Sequence, residues 1–97
     1  MALLDDVKLA LRISHNLLDN EINSVIASAQ QEMLRAGVMA DVVNMVDGTP
    51  KDLVEQAIKT YAMEYYTRDV KEADRYSMSF QYQLDNLRKS YPNEVEG

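Results

Sequence analysis

The sequence predicts an all-α fold, a small bundle of about four helices with two long central helices flanked by shorter terminal ones. Three observations predict it. Apolar residues recur at three- and four-residue steps along most of the chain. No stretch alternates with period two for long enough to build a sheet. The turn residues Gly37, Gly48, Pro50 and Pro92 fall between the periodic segments. The 97 residues hold no repeat, low-complexity tract or linker, so residues 1–97 read as one domain with 92–97 as a frayed tail.

Residues 3–13, LLDDVKLALRI, read as a short helix. Asp5 and Asp6 suit its first turn, and Leu4, Val7, Ala10 and Leu11 share a face. Ser14-His15-Asn16 is a polar break. A long helix follows over about 17–36, with Leu18, Ile22, Val25, Ile26, Ala29, Met33 and Ala36 in a 3-4 rhythm. Asn16 and Asp19 both suit its cap, and Gly37 sits where a C-terminal cap wants a positive φ. Residues 38–48, VMADVVNMVDG, are very apolar for a connector and carry no clear period. They suit a single turn around Ala40–Met45 or a short strand, closed by the Asp47-Gly48 turn.

The helix the rest is organised around spans Thr49 to about Asp69. Thr49 suits the cap, Pro50 the first helical position and Asp52 the first turn. Leu53, Val54, Ala57, Ile58, Tyr61, Ala62 and Tyr65 give it one broad apolar face. Glu55 with Lys59 and Glu64 with Arg68 are i,i+4 pairs in the favourable order. The charged run 70–77 either extends this helix or forms a loop. A last helix is expected over Ser79–Tyr91, with Phe80, Leu84, Leu87 and Tyr91 on one side and Pro92 as its stop.

Bulk properties narrow the function. A chain this short buries only roughly 60–65% of its unfolded surface, so partner subunits would add useful burial. Cysteine is absent, which removes disulfides, thiolate metal sites and cysteine nucleophiles. The N-terminus is acidic where a signal peptide is basic, and no apolar run approaches the ~20 residues of a membrane span. The chain therefore reads as soluble and cytoplasmic where made. Its formal charge is −6, with no basic stripe, which disfavours sequence-independent grip on phosphates.

No reaction chemistry stands out, and no catalytic, cofactor or metal residue is assigned. His15 is the sole histidine and reads as an exposed turn residue or helix cap. One histidine without cysteine cannot build a zinc site. Three scattered glycines make no phosphate cradle. Asp69, Glu72 and Asp74 alternate with Arg68, Lys71 and Arg75, a self-neutralising run without calcium-loop spacing.

Contact with other proteins explains three features better: the apolar connector, the methionine supply (Met33, Met39, Met45, Met63 and Met78 besides Met1) and the tyrosines. The connector 38–48 is either a lid over the long helices or a loop that inserts into a neighbour, which makes Met39, Val42, Val43 and Met45 candidate contact residues. Tyr61 and Tyr65 fit the buried face. Tyr66, Tyr76 and Tyr82 fall off the apolar stripes and are the tyrosine candidates, since tyrosine joins an apolar body to a polar tip. Tyr82 lies opposite Phe80, Leu84 and Leu87, so the last helix has two faces to cover.

The order LLDDVKLALRIS, HNLLDNE, INSVIASAQQEM, TPKDLVEQAIKTYAMEYYTR and LDNLRKSY resembles the small head-tail connector (adaptor, or head-completion) proteins of tailed phages. Leu4-Asp5-Asp6-Val7-Lys8 and Leu11-Arg12-Ile13 match that family's opening. Pro50, Lys51, Asp52 and Tyr65-Tyr66-Thr67-Arg68 match the start and end of its later helix. The likeness covers about residues 3–91 and rests on helix patterns rather than a signature. The turn His15-Asn16-Leu17-Leu18 is less acidic than the pattern, and 38–48 is more apolar.

The resemblance implies a structural virion protein without enzymatic activity or cofactor. It would form a homo-oligomeric ring of about a dozen copies that joins the portal protein to a tail-side completion protein. DNA would pass through the centre without sequence-specific binding, past a surface whose acidity keeps phosphate from sticking. The place implied is the head-tail junction of the virion, with assembly in the host cytoplasm and no membrane contact. The alternative reading is an acidic helical adaptor or regulator unrelated to virions.

Overall fold

A computed structural model describes residues 3–90. Five helices follow in order: α1 (Leu3–Leu11), α2 (Asp19–Arg35), α3 (Ala40–Val43), α4 (Lys51–Tyr66) and α5 (Val70–Ser90). No strand occurs among the described residues, and the fold is an all-α small bundle. The expected stop at Pro92 and the expected frayed tail lie outside the described residues, as does Tyr91.

α4 is the hub: α1, α2, α3 and α5 all pack against it. Val54, Ala57, Ile58 and Ala62 are fully buried. The two alanines let neighbouring backbones approach closely, and Ile58 contributes about 2–3 kcal/mol of burial. Two expected members of this face are displaced. Leu53 is 48% and Tyr65 58% exposed, because the buried stripe follows Ile58, Ala62 and Tyr66 round the last turns. α2 answers with Ile22, Val25, Ile26, Ala29 and Met33, all buried.

The start of α4 also differs from expectation. Pro50 occupies the cap position without a side-chain bond, and Lys51 is the first helical residue. The Thr49 hydroxyl donates instead to the Val46 carbonyl. Lys51 Nζ reaches Asp47 Oδ1 at 2.9 Å, which ties the helix to the preceding turn. Neither expected i,i+4 pair closes among the described residues, and Arg68 lies past the helix end.

Three helix ends share one motif. After α2, Gly37 has φ +98°. The Val38 N–H donates to the Met33 carbonyl at 3.0 Å and the Gly37 N–H to Leu34 at 3.1 Å, a Schellman closure. α1 closes the same way around Arg12 (φ +61°), with the Ile13 N–H on the Lys8 carbonyl. α3 closes around Met45 (φ +56°), with the Val46 N–H on Asp41. A side chain in this left-handed region costs about 1 kcal/mol, which the closing bonds and the packing of Ile13 and Met45 against the core offset.

Lys8 is 8% exposed yet charged. Its Nζ donates to Asn16 Oδ1 at 2.7 Å and lies 2.8 Å from Asp19 Oδ1. The first helix, the turn and the second helix thus meet at one buried cation. Asp19, one of the expected caps, serves as this counter-ion, while Leu18 holds the cap position with no side-chain bond.

The last helix is the main correction. It is not a short terminal helix from Ser79 but a 21-residue one from Val70, the longest described. The physical reason is a cap. The Lys71 and Glu72 N–H groups donate to Asp69 Oδ1 at 2.9 and 3.3 Å, and Thr67 donates to Glu72 Oε1 at 3.2 Å. Asp69-Val70-Lys71-Glu72 therefore starts a new helix in the run expected to be an extension or a loop. Phe80, Leu84 and Leu87 are buried, and the Phe80 ring sits 5.1 Å from that of Tyr61. Near its end, Arg88 donates to the Ala36 carbonyl at 3.0 Å and pairs with Asp85, which fastens α5 to the last turn of α2. The Asp69→Ala variant is expected to lose about 1 kcal/mol of stability in urea unfolding, with the far-ultraviolet helical signal largely retained. No change in midpoint would contradict the cap assignment.

Candidate docking surface

The connector resolves into a lid. Val38, Val42 and Val43 are buried, and Met39 and Met45 pack half-buried against the same core. Gln30 Nε2 donates to the Val43 carbonyl at 3.4 Å, so α2 holds the lid by backbone as well as by packing. Val42 and Val43 were expected as contact residues, but at 0% and 1% exposure they offer nothing to a neighbour. The apolar run fills the subunit's own core because α3 turns both valines inward.

The three tyrosine candidates are not brought together. Tyr66 points inward: its hydroxyl is buried without a hydrogen-bond partner, and its ring meets that of Tyr65 edge-on at 5.0 Å. Burial pushes the Tyr66 phenol pKa up, with Glu21 and Tyr65 adding to the shift. Tyr76 is half-buried and shares with Tyr66 a shallow hollow of about 210 Å³, edged by Arg12 and Met63. Tyr82 is the one that faces out, at 67% exposure.

The exposed side of α5 carries more than Tyr82. Met78 is 72% exposed and Lys71 and Arg75 are exposed too. Lys71, Arg75, Met78 and Tyr82 follow +4, +3, +4 steps, so they form one stripe opposite Phe80, Leu84 and Leu87. That spacing was present in the sequence, but it becomes a helix stripe only once the helix starts at Val70. Among the other exposed apolar residues, Leu9 at 78% lies on α1 beyond Asp5 and Asp6. Neither Leu9 nor Met78 was among the candidates.

The residues weighed for chemistry in the sequence hold turn and cap positions. His15 is exposed, and its Nδ1 accepts the Leu17 N–H at 3.2 Å, the work of a turn residue. Among the described residues no group of three or more His, Cys, Asp or Glu side chains is placed to hold a metal ion. Asp69, the first acid of the 69–74 run, is committed to the α5 cap. Among the described residues no helix is long and apolar enough to cross a membrane.

A charge at the lid therefore acts on folding. Val43→Asp places a carboxylate in the core without a partner. Circular dichroism of the isolated subunit is expected to lose its cooperative thermal transition. A variant that melts like wild type would return Val43 to the surface.

The model of the family described as phage gp6-like head-tail connector protein matches residues 1–96. Searches of curated proteins and of solved structures returned no match. A family match over nearly the whole length settles membership: the chain belongs to the phage gp6-like head-tail connector proteins.

Proposed function

We propose that this protein is a structural part of a phage particle that assembles as a ring at the head-tail junction. It joins the portal protein on one side to a tail-side completion protein on the other, and the genome passes through its centre. The observation that carries this reading is the family match over residues 1–96. Two features of the chain support it. The charge of −6 suits a channel wall, since acidic walls repel phosphate and let DNA slide. The exposed Met78 and Tyr82 beside Lys71 and Arg75 suit a contact made by protein rather than by solvent.

Such a part has no bond to make or break. Its work is binding energy spread over repeated contacts, each small, summed around a closed ring. Assembly of the subunit takes place in the host cytoplasm.

Incubating the purified subunit with its cognate portal and imaging by electron microscopy tests the proposal. An added ring of density on the tail-facing side of the portal, with native mass spectrometry giving an integral set of copies, is the expected result. Bare portals with all of the subunit left free would overturn it.

A further inference from the structure

Among the described residues, Arg35, Lys51 and Arg88 are each held by a nearby acid of their own chain, and Lys8 is buried against Asp19. Among the described residues Lys71 and Arg75 make no ion pair, as Arg12, Lys59 and Arg68 make none, and these two stand on the same side of α5 as exposed Met78 and Tyr82. Asp74 lies among them, which leaves two cations against one acid. The outer side of α1 is the opposite in sign. Asp5 and Asp6 make no ion pair among the described residues, and Leu9 one turn later is 78% exposed. Both helices lean on α4.

Each stripe joins charge to an exposed apolar residue, and the charges are of unlike sign. A two-fold axis passing through either stripe would set that stripe against itself and like charge against like, which costs energy. A head-to-tail contact sets cation against acid and apolar against apolar. We propose that the Lys71-Arg75-Met78-Tyr82 stripe of one copy docks on the Asp5-Asp6-Leu9 stripe of the next. The proposal rests on the ring reading above and names the two patches that the ring would use. An unlike pair of patches closes into a ring when the rotation between copies divides the circle.

Charge reversal tests it with the full chain. One variant carries Lys71→Glu with Arg75→Glu, and a second carries Asp5→Lys with Asp6→Lys. These side chains lie outside the core, so circular dichroism should show both folded. Native mass spectrometry and light scattering are run at high concentration and with portal. Each variant alone is expected to lose at least tenfold in self-association, since it sets like charges together. An equimolar mixture is expected to recover the wild-type oligomer, because each stripe then meets its opposite. Raised salt should weaken the wild-type assembly. Assembly of wild type and both variants to the same degree would overturn the patches and leave the ring standing. A wild-type chain that never assembles, with portal or without, would overturn ring and patches together.

Discussion

Everything in this fold depends on covering one helix. α4 has fully buried residues at Val54, Ala57, Ile58 and Ala62, and four helices pack against it. α2 and α5 flank it, α1 closes against it, and the connector folds over as α3. The shortest extent of the molecule, 18 Å, leaves room for only about two helix layers. Each surrounding helix therefore keeps an outer side.

Polar ties fix how the covering pieces sit. Lys8 joins α1 to the start of α2 through Asp19 and Asn16. Arg88 joins α5 to the end of α2 through the Ala36 carbonyl. The first satisfies a buried ammonium that would otherwise lose water without a partner. Asp69 sets where α5 begins, and the burial of Phe80, Leu84 and Leu87 sets which of its side chains face outward.

The helical frame was legible in the sequence because it rests on local signals. The rhythm from Ile22 to Met33 gave α2, and Gly37 gave its end, with the positive φ the position demands. Other features were hidden for stated reasons. Arg12 and Met45 take left-handed conformations with no glycine to mark them. The Lys8–Asp19 pair joins separate elements, and no period reports that. The acid-x-x-glutamate start at Asp69 was present but masked by the surrounding charges. The connector's apolar content announced burial without saying against what; it lies against its own core, which withdraws Val42 and Val43 from the surface. Of the expected contact tyrosines, only Tyr82 is largely exposed, since whether Tyr66 or Tyr65 turns inward depends on where the neighbouring helices end.

The hub role of α4 is open to direct measurement by native-state hydrogen exchange. If burial of this helix underlies the whole fold, the amides of residues 54–62 exchange only through global unfolding, together with those of α2 facing them. The first turns of α5, where Val70 is 75% exposed, open sooner. Amides of 54–62 exchanging as fast as those in the turn at 14–18 would contradict the account.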